Sequence, residues 1–119
     1  MSIPAQYQEL YKQALSAREK ATAVYSHFQV GAALEADDGT VYTGCNVESS
    51  SYGLSICAER TALTKAISEG ARRFKRILVV ADTPGFCSPC GACRQLLIDY
   101  AETLEVIMTN LKGDCQVAD

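Results

Sequence analysis

The sequence predicts an α/β fold of three layers, in which helices cover both faces of one mixed β-sheet. Apolar residues recur at helical spacing near the N-terminus, and a β-hairpin pattern follows them. The segment RILVVAD (76–82) contains a continuous apolar run, which is typical of a strand covered on both faces. The 119 residues are 48% hydrophobic and include no tryptophan, so we expect one domain over residues 1–119 with a modest core.

The first half of the chain is predicted to form a helix and a hairpin. Pro4 suits a first helical position, and the apolar spacing that begins at Tyr7 predicts a helix over residues 4–24. Alternate residues are apolar from Phe28 to Leu34, DDGT (37–40) is a tight-turn sequence, and an extended pattern resumes over residues 41–47. This succession predicts two antiparallel strands joined by a short turn.

The second half is predicted to alternate helices and strands. Ser55 is a suitable N-cap for a second helix, and Gly70 is a suitable stop for it. The remaining elements are a strand at 76–82, a third helix from about Cys90 to Tyr100, a strand at 104–109 and a short last strand near Cys115 to Val117. The order α-β-β-α-β-α-β, together with that short last strand, implies right-handed crossovers with helices on both sides of the sheet.

Charge and composition exclude some partners. The net charge of −3 and a pI near 5.1 argue against a surface that binds a nucleic-acid backbone. A secretory signal begins with basic residues followed by an apolar run, and the first residues of this chain have neither. No apolar stretch is long enough to cross a bilayer. We therefore expect a cytoplasmic protein in a reducing environment, with no membrane or nucleic-acid partner.

The six cysteines are the main functional signal. In a reducing compartment, clustered cysteines favour metal binding or catalysis, although the sequence alone leaves disulfides open. Cys90 and Cys93 stand three apart at a predicted helix start, and Cys57 lies near the start of the preceding helix. Helix N-termini favour thiolates through the helix dipole and unpaired N–H groups. Because the two helices follow neighbouring elements of the same sheet, their N-termini can lie close together. Three thiolates can then bind one ion.

Three protein ligands with an open fourth position are typical of catalytic zinc, whereas structural sites close with four. Cys87 is the strongest candidate for a fourth ligand, because CSPC (87–90) is itself a Cys-x-x-Cys, and Cys45 is another. A structural site with four thiolates is therefore an alternative. Glu59 follows Cys57 by two residues and would flank the ion, where a proton shuttle belongs. Its simpler interpretation is an acid that complements the helix dipole.

Two motifs resemble a known family. CAE (57–59) and PCGAC (89–93) resemble the signature of the small, homotetrameric, zinc-dependent cytidine deaminases: a zinc ligand, a glutamate two residues later, and a downstream Pro-Cys-x-x-Cys. The similarity extends over nearly the whole chain, through YSHFQVGAAL (25–34), GCNVESSSYG (44–53), CAERTAL (57–63) and VIMTNLKG (106–113). It implies the cytidine deaminase-like α/β/α fold.

The resemblance implies a reaction. A cysteine as first ligand points to free nucleosides, so we expect hydrolysis of cytidine and 2′-deoxycytidine to uridine and 2′-deoxyuridine plus ammonia, in pyrimidine salvage. The implied cofactor is one zinc per chain, held by Cys57, Cys90 and Cys93, which activates water, with Glu59 as the proton-transferring residue. The implied assembly is a homotetramer with shared active sites.

The resemblance also assigns roles to residues that would otherwise be interpreted as core or turn positions. Charge is a separate argument: three thiolates more than neutralise zinc, so Arg60 is expected to donate hydrogen bonds to the sulfurs, with Gln95 orienting it. The simpler interpretation of Arg60 is a surface arginine in an i,i+4 pair. His27 is expected to be no ligand. The implied substrate contacts are Phe28 on the pyrimidine, Asn46 and Glu48 on the ribose, the Ala58 backbone on the base, and Ser50 and Tyr52 in a neighbouring subunit's site.

Several alternatives stay open at this stage. The rivals are a deaminase of another aminopyrimidine nucleoside such as blasticidin S, a non-catalytic zinc-binding module, and a thiol redox protein. Relatives are expected to continue beyond the position of Asp119 with a segment that carries an aromatic side chain into the active site. Apart from the fourth-ligand alternative for Cys87 and Cys45, the sequence assigns no role to these two cysteines or to Cys115.

Overall fold

The computed structural model describes residues 3–23, 28–48, 56–82 and 104–118. The predicted third helix, from Cys90 to Tyr100, lies outside these residues. The described elements are a 3-10 turn Ala5–Tyr7, α1 Gln8–Arg18, β1 Val30–Ala36, β2 Val41–Cys45, α2 Ala58–Ser68, β3 Phe74–Ala81, β4 Glu105–Asn110 and β5 Cys115–Ala118. None of the helices in these ranges is both long enough and apolar enough to cross a bilayer.

The five strands form one sheet in the order β2-β1-β3-β4-β5. Strands β3 and β4 are parallel, and the other neighbouring pairs are antiparallel, which confirms the predicted mixed sheet. The predicted turn joins β1 to β2, with the Ala36 N–H donating to Thr40 O at 2.9 Å and Gly39 at φ 91°. The predicted hairpin is therefore confirmed.

The two α-helices in the described residues cover opposite faces of the sheet. Successive side chains of a strand point to opposite faces, so β1 and β3 each contribute to two separate cores. The core under α1 contains Tyr7, Leu10, Ala14, Ala33, Leu78, Val80 and Ile107, whereas the core under α2 contains Ala32, Leu34, Ala62, Leu63, Ala66, Ile77 and Val79. This arrangement confirms the predicted layers of helix, sheet and helix.

Both helices approach the hairpin at a glycine. A Cβ atom on Gly31 would overlap the carbonyl oxygen of Ala14 in α1 and lie 2.8 Å from the Arg18 nitrogen. A Cβ atom on Gly44 would overlap the carbonyl oxygen of Ala58 in α2 and lie 2.5 Å from the Ala62 nitrogen. Glycine is therefore required at both positions because the helix backbones lie directly against the strands.

The predicted extent of the first helix is wrong. The helix ends at Arg18, and residues 19–20 form a turn. Thr22 then forms a parallel bridge with Val47, and its N–H donates to Asn46 O at 3.0 Å. This pairing takes the backbone of Thr22 out of the helix and joins it to the segment that follows β2.

Two other boundaries also differ. The N-cap of α2 is Cys57 and not Ser55, which lies outside the described residues, because Ile56 pairs with Val47 and Cys57 itself is still extended. The same bridge ends β2 at Cys45 instead of residue 47. The predicted stop of α2 is confirmed, since Gly70 follows the helix with φ 101°.

Candidate active site

The described site residues lie where β1 begins, β2 ends and α2 begins. They are Phe28, Asn46, Glu48, Cys57, Ala58, Glu59 and Arg60. The other residues predicted to act in the site fall outside the described ranges: Ser50, Tyr52, Cys90, Cys93 and Gln95. Cys87 and His27 also fall outside them.

Thr61 binds the first turn of α2 to the end of β2. Its Oγ1 lies 3.0 Å from the carbonyl oxygen of Cys45 and 3.1 Å from that of Cys57, so the hydroxyl can donate to either. Its backbone N–H also donates to Cys57 O at 3.0 Å. The contact fixes Cys57 and Glu59 relative to the hairpin. Sequence reasoning missed Thr61, because a threonine inside a helix carries no signal for a tertiary hydrogen bond.

Cys57 occupies the N-cap of α2 in an extended conformation, with φ −72° and ψ 156°, and is half-buried. The N–H groups of a first helical turn have no partners within the helix, so this position favours a thiolate. Of the three predicted zinc ligands, Cys57 alone lies in the described residues, and within those ranges no three acidic, histidine or cysteine side chains cluster as a metal site. The donor type and its position at the helix start fit a zinc ligand.

Cys45 faces away from α2. Tyr42 packs against the core under α2, and Gly44 abuts the α2 backbone, so the alternation of β2 directs Cys45 toward the face covered by α1. Val41, on the same side of the strand as Cys45, packs against the core under α1. This placement disfavours Cys45 as a fourth ligand beside Cys57.

Glu59 is buried, with 4% of its surface exposed, in the first turn of α2. Burial raises the pKa of its carboxyl above the ordinary value because the charged form loses hydration, and the Glu59 backbone N–H opposes this shift in part. A carboxyl whose pKa is raised is a stronger base than an ordinary one, which suits a group that must accept a proton and pass it on. Ala58, adjacent to it, is also buried, and Arg60 is half-buried.

Asn46 connects the two strands of the hairpin at this end. Its Nδ2 donates to Phe28 O at 2.8 Å, and its Oδ1 accepts from the Val30 N–H at 2.9 Å. Phe28 is 38% exposed, and Glu48, two residues after Asn46, is half-buried. An aromatic residue before β1 and an amide and a carboxylate after β2 thus lie at the same end of the hairpin. Together they can present a flat apolar surface and polar groups to a ligand.

Comparison with known proteins gives a consistent set of relatives. The family described as "Cytidine and deoxycytidylate deaminase zinc-binding region" matches residues 4–109. Cytidine deaminase of Sporosarcina psychrophila is 53% identical over 110 residues, covering 92% of this chain and 81% of the relative. The enzyme of the same name from Halalkalibacterium halodurans is 55% identical over 111 residues, covering 92% and 83%.

A solved structure agrees with these relatives. The crystal structure of cytidine deaminase from Burkholderia pseudomallei superposes with a TM-score of 0.92 at 52% identity, covering 95% of this chain and 91% of that chain. Blasticidin-S deaminase of Bacillus cereus is more distant, at 31% identity over 102 residues, which cover 77% of this chain and 73% of the relative.

Proposed function

The chain belongs to the cytidine and deoxycytidylate deaminase family, and we propose that it hydrolyses free cytidine and 2′-deoxycytidine to the uracil nucleosides and ammonia. The observation that carries this proposal is a buried glutamate, with a raised pKa, two residues after a cysteine at the N-cap of α2. The family relationship supports cytidine as a substrate, and the pairing of thiol and acid supports hydrolysis.

Zinc is the cofactor that the family and the donor set support. We assign one zinc per chain, held by Cys57, Cys90 and Cys93. When bound, zinc supplies a Lewis acid that makes water nucleophilic near neutral pH. Arg60, three residues after Cys57, and Gln95 are proposed to offset the charge of three thiolates, which would otherwise weaken the ion as a Lewis acid.

Glu59 is proposed to transfer the protons. Its carboxylate takes a proton from the attacking water and gives it to ring nitrogen 3, while the water oxygen bonds to carbon 4. In the second half, Glu59 takes the remaining hydroxyl proton and delivers it to the amino group, so the carbon–nitrogen bond breaks and ammonia leaves. The raised pKa suits both steps, since the same carboxyl must accept and donate.

Phe28, Asn46, Glu48 and Ala58 are proposed to bind the nucleoside. Phe28 packs on the pyrimidine, the Ala58 backbone contacts the base, and Asn46 and Glu48 bind the ribose. Polar groups that bind a sugar hydroxyl discriminate against ligands without that hydroxyl, because the protein groups would then be left without a hydrogen-bond partner. The acidic chain, with a net charge of −3, suits a free nucleoside better than a nucleic-acid strand.

We propose that the chain forms a homotetramer in which Ser50 and Tyr52 complete a neighbouring subunit's site. We also propose that it acts in the cytoplasm, in pyrimidine salvage. A chain of 119 residues gains buried apolar area by association. Sedimentation across a dilution series, with activity measured in parallel, tests this. Activity should fall as the oligomer dissociates, and a fully active monomer would contradict shared sites.

Ammonia release from cytidine by the zinc-loaded chain is the direct test of the activity. We expect turnover with cytidine and 2′-deoxycytidine and much slower turnover with blasticidin S. A chain that binds zinc without releasing ammonia from any of the three would be a binding module. A chain that holds no zinc but cycles its thiols would be a redox protein.

The metal ligands are tested by zinc analysis of single Cys→Ser variants. We expect C57S, C90S and C93S to lose zinc, and C45S and C115S to retain it. Retention of zinc by C93S together with its loss from C87S would show that the ligand set is wrong.

A further inference from the structure

Asn46 stands where β2 separates from β1. The register pairs Gly31 with Cys45, so the next pair along the strands is Val30 with Asn46. One bond of that pair is present, from the Asn46 N–H to Val30 O at 3.3 Å. The reciprocal bond is replaced: the Val30 N–H donates to the side-chain Oδ1 of Asn46 at 2.9 Å. The Asn46 backbone oxygen instead accepts from the Thr22 N–H at 3.0 Å.

The other end of the amide holds Phe28. The Nδ2 of Asn46 donates to Phe28 O at 2.8 Å, so the two ends of one amide bind the backbone on both sides of Gln29. These partners determine the orientation of the amide, since the Val30 N–H requires the oxygen and Phe28 O requires the nitrogen. The carbonyl of Gln29 accepts from Arg18 Nε at 3.1 Å, which holds the same segment from the other side.

We propose that Asn46 is a positioning residue that places Phe28 in the substrate-free protein, in addition to binding the ribose. This inference rests on the proposed function of Phe28 as the surface that packs on the pyrimidine. An asparagine amide has two N–H groups, and the Phe28 carbonyl uses one of them, so the other can donate to a sugar hydroxyl. One amide then couples sugar recognition to the position of the base-binding ring.

The test uses N46D in the zinc-loaded chain of 119 residues. Aspartate keeps an acceptor for the Val30 N–H but loses the donor and puts a carboxylate oxygen beside Phe28 O. Because the chain has no tryptophan, the fluorescence of F28W reports position 28 alone. Without substrate, we expect N46D to shift the emission and lower the anisotropy of F28W. We expect N46A, which also removes the acceptor of the Val30 N–H, to speed Val30 amide exchange by about tenfold.

Steady-state kinetics separate positioning from general loss of structure. We expect N46D, with residue 28 unchanged, to raise KM for cytidine by about tenfold while kcat falls less, because ground-state binding is lost and Glu59 stays in place. E48Q is the matched control, since Glu48 is the other proposed ribose residue. It should raise KM for cytidine without changing F28W emission or Val30 exchange. N46A, which removes both bonds and adds no charge, replaces N46D if that variant does not fold.

Two outcomes are distinguishable. If wild-type protein deaminates cytidine but N46D and N46A leave F28W emission and Val30 exchange unchanged, Asn46 only contacts the ribose and the inference is wrong. If wild-type protein releases no ammonia, the proposed function fails. The substrate-free measurements then decide the positioning of Phe28 by themselves.

Discussion

The first turns of α1 and α2 each carry a glutamate, but their surroundings differ. Glu9 in α1 is exposed and accepts a hydrogen bond from Gln13 Nε2 at 3.2 Å. Glu59 in α2 is buried, and its pKa is raised by the loss of hydration. An exposed acid at a helix start is fully explained by the helix dipole, which stabilises it at little cost.

The dipole does not explain Glu59. Burying a carboxyl costs free energy, and a group that only complemented the dipole would do so as well from the surface. The burial therefore favours the proton-transfer interpretation over the simpler one. The position of an acid in a helix is therefore weak support for function until its solvent exposure is known.

The strongest test of this comparison is the pair E59Q and E9Q. E59Q should retain zinc and fold but lose turnover by about 10⁴ or more, the upper end of the usual range, because one carboxyl serves several proton transfers. E9Q should retain full activity, because Glu9 lies exposed in the first turn of α1. Ammonia release, with zinc content and thermal unfolding as controls, measures both. An active E59Q would overturn the mechanism.

The second test adds a side chain at each glycine where the hairpin contacts α1 or α2. G44A and G31A should each lower the free energy of unfolding by about 1–3 kcal/mol, because the added Cβ overlaps helix backbone. G44A should also lower kcat by about tenfold or more, since it displaces the first turn of α2 that carries Glu59. G31A displaces α1 and should affect kcat much less. Urea unfolding and ammonia release measure the pair, and equal losses of kcat would contradict the separate roles of the helices.

The smallest expected effect is at Thr61. T61V removes a hydroxyl that contacts the end of β2 and should cost about 1 kcal/mol of unfolding free energy, with a severalfold loss of kcat. T64V is matched to it, because the Thr64 hydroxyl donates only within α2, to Arg60 O at 2.7 Å and Thr61 O at 3.3 Å. It should change both quantities by less than half as much. T61S should restore the wild-type values, and its failure to do so would show that the methyl group is what matters.

Features encoded locally in the chain were predictable from the sequence. The hairpin follows from alternation around DDGT, and the cysteine and glutamate at the start of α2 follow from a short motif. The boundaries near Thr22 and Ile56 did not follow, because both residues pair with Val47, which is distant in sequence. The burial of Glu59, the Thr61 contact and the backbone bonds of Asn46 depend in the same way on tertiary packing.

The segment from Asn46 to Glu48 has a consequence for how this protein can evolve. Val47 pairs with Ile56 through both backbone groups at 2.8 Å, and the Glu48 N–H donates to Thr22 O at 2.9 Å. Backbone bonds persist whatever side chain a residue carries, so mutation can vary position 48, and with it the proposed ribose contact, without disturbing this pairing. Position 46 lacks that freedom, since its side chain is itself part of the ladder. Changes in substrate range should therefore arise at position 48 before position 46.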